Sequence, residues 1–342
     1  MIKVSRLASL KDIAQHANVS LTTVSLVLNG QGEAKKISQQ TQEEVRRAAR
    51  ALNYIPNLAA QNLRRGQEST RPTIALFWAN DIRTNLLSRF LRGINICTNR
   101  YQLDYNLVIC SYMPGQLCRS SKLLDGSQFH GAIFANLAME DLIFLERLDL
   151  KIPLALYNRI SNQYYCVATD AYRMGTLVAE ELFSKGRHQV GLVVSPATFD
   201  AVQQRSKALL DYFANHGCPV SHDRIITTEG KSMESGAKAC ETLLAGERID
   251  GIFCSSDDLA VGALYTLRKQ GIQVPEDIAV CSIGDGDPEI SRYAYPALTN
   301  VMLPMEDMAV SCLKGVFDML NHQIPEKMIH IFDTPLMVRE ST

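Results

Sequence analysis

Residues 10–29 read LKDIAQHANVSLTTVSLVLN. Ile13, Ala14 and Ala17 recur at the spacing of one helical face. A gap follows at residues 18–21. Ser20 then suits the N-cap of a second helix reaching about residue 28, with Val24, Val27 and Leu28 turned inward. Two short helices across a tight turn fit a helix-turn-helix, against the alternative of a generic small helical domain. The second helix would present Leu21, Thr22, Thr23, Ser25 and Leu26 outward. Side chains near the N-terminus of such a helix reach base edges in the major groove. Threonine hydroxyls donate or accept there, and a leucine or threonine methyl can touch the thymine methyl.

Working outward, Asn29-Gly30-Gln31-Gly32 stops the second helix. Lys35 and Lys36 follow in a loop, where they either add phosphate contacts or keep the loop solvated. Ser38 caps a third predicted helix that runs to about residue 53, with Val45, Ala48, Ala49 and Leu52 as its buried stripe. Pro56 blocks continuation, since proline disfavours helix in the residue before it. Residues 57–66 suit one more short helix, and 67–72 read as a polar linker. Residues 1–71 carry 11 Lys and Arg against 5 Asp and Glu, whereas the remainder carries 24 against 31. A small basic head on an acidic body points to a polyanionic partner, unless it is chance variation in a short segment.

Beyond residue 72 the pattern alternates. Apolar strand-like runs at 73–79, 105–111, 131–136, 153–158, 189–194, 251–256 and 278–284 are separated by amphipathic stretches such as 86–99, 171–185, 201–216, 235–245 and 259–270. Apolar strands alternating with helices imply parallel sheets covered on both faces. The strands are too many for one comfortable sheet, so the fold class expected is α/β with two lobes behind a helical head. The length of 342 residues suits two or three domains, and 46% apolar with 21% charged residues is an ordinary globular balance. No apolar run approaches the ~18–20 residues of a bilayer span, so no membrane partner is expected. The N-terminus shows no apolar stretch before its first charges, which argues against a secretory signal and for a cytoplasmic setting. The nine cysteines form no C-x-x-C pair and sit mostly in apolar runs, as reduced core thiols would. The seven histidines show no ligand spacing. No metal or cofactor is expected.

At this point the residues become specific. The segment 10–29 resembles the start of a lac-repressor-family (LacI/GalR) transcription regulator, and Leu52-Asn53-Tyr54-Ile55-Pro56-Asn57 resembles that family's segment before the hinge. Further matches follow in order: Arg92-Gly93-Ile94, Asp170, Gly175, Arg205, Asp258, Gly262-Ala263-Leu264, Val274-Pro275-Glu276-Asp277, Pro296-Ala297-Leu298-Thr299 and Val338-Arg339-Glu340-Ser341. The resemblance covers nearly the whole chain. It implies a helix-turn-helix head over 8–56, a hinge helix and linker over 57–72, and two periplasmic-binding-protein-like lobes. The first lobe would comprise 73–168 with 300–330, the second 169–299 with 331–342. Three crossings are expected near Thr169, Thr299 and Ile331. The resemblance also implies a homodimer on double-stranded operator DNA, and the tail after Arg339 is too short for a tetramerising coiled coil.

Ser20, Leu21, Thr22, Thr23, Ser25, Leu26 and Asn29 are the candidate DNA contacts of the head. In the hinge, Ala59, Ala60 and Leu63 match the family pattern. The resemblance implies that Leu63 levers into the minor groove, where an apolar wedge opens a base step and bends the duplex. The alternative is packing against its dimer mate. Arg64 and Arg65 stand where phosphates run or form a solvated pair. Tyr54, next to Asn57 in the pre-hinge segment, either touches phosphate or closes the head's core. Leu26 replaces the Arg or His of many members, which implies weaker guanine reading there or an apolar contact with thymine.

Ligands of open α/β sheets bind at the C-terminal ends of strands, and between two lobes at the facing ends. That rule and the resemblance nominate Phe77, Trp78, Asn80, Asp170, Arg205, Lys231, Asp257 and Asp285 for a small-molecule effector. Arg205 matches the family's effector-binding arginine, whose planar fork suits hydroxyl pairs or carboxylates. Lys231 stands where an aromatic is common, Asp257 where Asn is common, and Gly284 where sugar-binding members often have an aspartate. Trp78 either stacks on a ligand ring or belongs to the core. The family's commonest ligands imply a carbohydrate, with nucleosides second.

The function expected is therefore a sequence-specific repressor under effector control. A tenfold change in operator affinity needs only ~1.4 kcal/mol of coupling. A transporter's solute-binding protein shares the two-lobed body but lacks the head. An enzyme using Asp257-Asp258 or Asp285 with Asp287 is the third reading. Asp258 is better read as the cap of a helix beginning at Leu259, and no nucleophile elbow, Walker loop or zinc spacing is present.

Overall fold

The chain divides into two units, residues 1–70 and 71–342. In a computed structural model the residues described are 10–28, 32–33, 35–52, 71–80, 86–123, 128–148, 150, 152–196, 200–284, 286–323, 325 and 328–342.

In the first unit α1 (Leu10–His16), α2 (Leu21–Leu28) and α3 (Gln39–Ala51) enclose a small core of Ile13, Val24, Val27, Val45 and Ala48. The inward residues recur every three or four positions, which gives each helix one apolar stripe. Asn18 takes the left-handed conformation between α1 and α2 (φ 52°), tolerable for asparagine. Ser38 caps α3 by accepting from the Thr41 amide at 3.2 Å. Gln42, buried in this small core, donates through Nε2 to the Ile37 carbonyl at 2.9 Å.

The second unit holds two six-stranded sheets. The first contains β1 (Thr73–Ala79), β2 (Asn106–Tyr112), β3 (Gly131–Ala135), β4 (Leu154–Tyr157), β5 (Tyr165–Thr169) and β11 (Ile329–Phe332), in the order β11-β5-β4-β3-β1-β2 and all parallel. The second contains β6 (Val190–Val194), β7 (Ile225–Thr227), β8 (Gly251–Cys254), β9 (Ala279–Gly284), β10 (Thr299–Met302) and β12 (Leu336–Met337), in the order β12-β10-β9-β8-β6-β7. Here only β12 runs antiparallel, against β10.

Between the strands lie α4 (Leu87–Tyr101), α5 (Met139–Glu146), α6 (Ala171–Ser184), α7 (Asp200–Asn215), α8 (Met233–Leu244), α9 (Asp257–Lys269), α10 (Pro288–Tyr293) and α11 (Met305–Leu320). Successive strand residues point to opposite faces. Ile74, Leu76 and Trp78 therefore join one apolar cluster, while Ala75, Phe77 and Ala79 join another. The first of these clusters also includes Leu192, Phe253 and Ile283 of the second sheet.

Strand pairing shifts the expected lobe boundaries. Residues 299–302 belong to the second sheet through β9, so 300–302 move to the second lobe and that crossing comes at Leu303, within several residues of Thr299. β11 pairs with β5, so Ile331 and Phe332 stay with the first sheet and the third crossing follows them. Helix starts also differ. α9 begins at Asp257, and its cap is Ser256, whose Oγ accepts from the Leu259 amide; Asp258 is inside the first turn. Among the described residues no helix is long and apolar enough to cross a membrane.

Candidate DNA-reading helix and ligand cavity

Val24 and Val27 turn α2 so that its opposite side faces outward. Ser20, Leu21 and Thr22 are exposed, and Thr23, Ser25 and Leu26 are partly exposed. The helix start is held by Ser20, whose Oγ accepts from the Thr23 amide at 3.1 Å and stands 2.8 Å from Thr23 Oγ1. These two hydroxyls thus define where the helix begins. Leu21, 45% exposed, is an apolar side chain with little core to serve. Asn29, Tyr54, Asn57, Ala60, Leu63 and Arg64 lie outside the described residues.

The 71–342 unit contains a cavity of about 680 Å³, its open mouth included. Its polar wall is built from the residues that follow parallel strands of both sheets. Asn136 follows β3; Tyr157 ends β4, with Asn158 and Arg159 behind it; Ser195 follows β6 and Ser255 follows β8. In each sheet the chain order reverses beside such a strand, with β1 flanked by β2 and β3, and β6 by β7 and β8. Reversals of this kind leave a crevice between the diverging loops. Leu86, Val202, Leu303 and Met305 supply apolar wall.

Local conformation aims this wall. Asn136 and Asn158 both turn left-handed (φ 57° and 56°), so the chain bends sharply as it leaves β3 and β4. Asparagine tolerates that region better than most residues. Arg159 is fixed by two neutral acceptors, with Nε 2.5 Å from the Leu137 carbonyl and Nη1 2.6 Å from that of Asn158. Ser195 and Ser255 bind each other across β6 and β8: the Ser195 amide donates to Ser255 Oγ at 2.8 Å. Burial pushes the Tyr157 phenol well up, so it remains a neutral hydroxyl.

Of the residues nominated from sequence, Arg205 and Lys231 line the cavity. Arg205 lies in the second turn of α7, since that helix begins at Asp200. Its backbone is pressed against α6, where a Cβ on Gly175 would stand 2.0 Å from the Arg205 carbonyl oxygen. Only a glycine at 175 lets α7 come that close.

The structure places five of the others elsewhere. Phe77 is fully buried, stacked on Phe134 with ring centroids 4.5 Å apart, because strand alternation sends it to the far face of the first sheet. Trp78 is also core, edge-on to Phe90 at 5.5 Å. Asn80 lies beyond the end of β1, its amide donating to the Tyr112 carbonyl at the β2 side. Asp170 is exposed and caps α6 by accepting from the Arg173 amide at 2.8 Å. Asp257 is 1% exposed and is held in the second lobe, accepting from Ser282 Oγ at 2.6 Å and from Asn300 Nδ2 at 3.1 and 3.2 Å. Asp285 lies outside the described residues.

Sequence reasoning missed Asn136, Tyr157, Asn158, Arg159, Ser195 and Ser255. The rule on strand ends would have found them had it been applied to the third and fourth strands of the first lobe, and to the residues directly after β6 and β8 of the second, as it was to the first strand.

Known proteins share this arrangement. The model of bacterial regulatory proteins of the lacI family matches residues 9–57, and that of the periplasmic binding protein-like domain matches 179–342. A probable HTH-type transcriptional repressor, ExuR of Bacillus subtilis (strain 168), is 29% identical over 98% of both chains. The repressor CytR of Escherichia coli (strain K12) is 24% identical over 98% of this chain and 96% of its own. The crystal structure of a LacI family transcription regulator from Clostridium acetobutylicum superposes with a TM-score of 0.75 at 32% identity, covering 79% of this chain and all of the other. The lac repressor dimer bound to operator and the anti-inducer ONPF shares the fold over 98% of this chain and 99% of its own, with a TM-score of 0.69 at 22% identity.

Proposed function

The chain belongs to the lacI family of bacterial regulatory proteins and is a DNA-binding transcription regulator, and from that premise we propose that it is a homodimeric repressor whose grip on operator DNA is set by a small molecule in the cavity of residues 71–342. The observation that carries this reading is the cavity itself, formed by loops from both sheets at the reversal points of the strand order. A ligand there touches both lobes at once. Two lobe orientations that differ in ligand affinity are then re-weighted by ligand, and the change passes to the N-terminal heads. Leu21, Thr22, Thr23, Ser25 and Leu26 read bases, Ser20 sets the helix start, and Leu63 is the wedge of the hinge. A carbohydrate is the starting class for the effector; cellobiose appears in the complex of the similar regulator CelR.

The test pairs two measurements on the full-length protein. A metabolite panel is scored by thermal shift, because a ligand that prefers the native state raises the melting point. Each hit is then added to a gel shift on the protein's own promoter region. The expected outcome is a sequence-specific complex that weakens linearly in log–log salt, as counterion release requires, and that responds to a hit. A complex with no sequence preference would sink the proposal.

A further inference from the structure

From Ser20 to Leu28 the sequence is SLTTVSLVL, with no charged side chain and no side-chain amide. Val24 and Val27 are buried, so Leu21, Thr22, Ser25 and Leu26 form one outer patch, since residues three and four apart are neighbours on a helix. Among the described residues the core of this unit takes in Leu28 but neither Leu21 nor Leu26. Two leucines of one short helix thus stand outside the packing that its other apolar residues serve. The Thr23 hydroxyl stands 2.8 Å from Ser20 Oγ, where it helps to hold the helix start. The lysines and arginines described in this unit, Lys11, Lys35, Lys36, Arg46, Arg47 and Arg50, are exposed, and they belong to α1, to α3 and to the loop before α3.

That composition restricts what α2 reads. Bidentate pairs to guanine need Arg or Lys, those to adenine need Asn or Gln, and α2 offers none of the four. A serine or threonine hydroxyl pairs with either base type. An apolar side chain in the major groove has one partner that marks a base, the C5-methyl of thymine. We propose that α2 reads its operator half-site chiefly through thymine methyl groups, with Leu21 and Leu26 as the residues that touch them. The inference rests on α2 being the base-reading helix and deepens that reading by naming the chemical group that is read. The surrounding cations then position the head on phosphates, which carry no sequence information directly. Sequence preference and salt dependence come from different residues of the same head.

The experiment uses the full-length protein and the stretch of its own promoter region that it protects from nuclease. Duplexes are made with uracil in place of thymine, one position at a time. Uracil keeps the base pair and the O4 acceptor and lacks only the methyl. At one or more positions of each half-site, uracil should weaken binding about fourfold, the worth of burying one such carbon. That loss should vanish in Leu21→Ala or in Leu26→Ala, whichever leucine makes the contact. The thymine-to-uracil ratio should hold as salt is raised while both affinities fall, because an apolar contact releases no counterion. Uracil tolerated at every position overturns methyl reading and leaves a sequence-specific regulator standing. A loss that persists undiminished in both variants also overturns it, since the loss then reports duplex shape. If no stretch is protected in preference to random-sequence DNA, the regulator reading falls and methyl reading falls with it.

Discussion

Arg89 and Glu306 form a near-parallel ion pair, with Nε 2.9 Å from Oε1 and Nη2 2.5 Å from Oε2. The arginine side chain is 5% exposed and the glutamate 19%. The same guanidinium donates to the carbonyls of Gly286 and Leu303, at 2.9 and 3.0 Å. Arg89 on α4 thus ties the first lobe to the start of α11, to the crossing at Leu303 and to the loop behind β9 of the second lobe. Leu303 and Met305 are cavity wall, so this tie ends where a ligand would sit.

Removing one partner of a buried pair leaves the other charge uncompensated. Arg89→Ala is expected to cost about 3–5 kcal/mol of stability, read as a fall in the urea midpoint. A loss under 1 kcal/mol would mean that the pair is no more than a surface contact.

The pair also carries a pH signature. Burial alone would raise the Glu306 pKa, but the hydrogen bonds and charge of Arg89 outweigh it and hold the carboxyl below its ordinary 4.5. Its stabilisation is intact above that value and is lost as pH falls through the lower folded value. Glu306→Gln should therefore flatten the acid limb of the stability curve below pH 4.5 relative to wild type. Superimposable acid limbs would remove the linkage.

Gly175→Ala tests how Arg205 is placed. The added Cβ meets the Arg205 carbonyl and must push α6 and α7 apart. Overpacking of this kind costs about 1–3 kcal/mol, and the shift in Arg205 should blunt the effector response in a gel shift. A normal response together with normal stability would show that the helices yield freely.

Asp257 separates scaffold from site. Its carboxylate holds Ser282 and Asn300, and Asn300 Oδ1 in turn accepts from Arg339 at 2.9 Å. Asp257→Ala should leave those donors without an acceptor and cost about 1–3 kcal/mol, while effector affinity at a permissive temperature stays within a factor of a few. A selective loss of effector affinity at unchanged stability would return Asp257 to the ligand.

Leu21→Ala addresses the head. The side chain is 45% exposed, so its truncation should leave the melting point unchanged. Operator affinity should fall several-fold while affinity for random-sequence DNA does not, since an apolar contact to a base carries sequence information and phosphate contacts do not. Equal losses on both duplexes would assign Leu21 to positioning rather than reading.

Legibility followed the length scale of the interaction. Many helices with one apolar stripe, and most strands that are apolar throughout, stood out in the sequence within a few residues of their observed ends, although the buried Tyr165–Thr169 was passed over. Ile225–Thr227 did not, because a three-residue edge strand carries too few side chains to show a period. Residues 300–302 were expected in the first lobe and lie in the second sheet, because pairing with β9 is a choice between two sheets. Arg205 and Lys231 were found from resemblance, while the Asn136, Asn158 and Arg159 side of the cavity was passed over. Asparagine at a strand end reads as an ordinary turn residue.

The sequence by itself determined the three-helix head, the α/β body and the outward face of α2, because local periodicity and capping are written in neighbouring residues. Only the tertiary structure decided that Phe77 is core while Arg159 is cavity wall, and that Asp257 serves Asn300. Those outcomes depend on which strand lies beside which and on which face a side chain takes, and both are set by contacts between residues far apart along the chain.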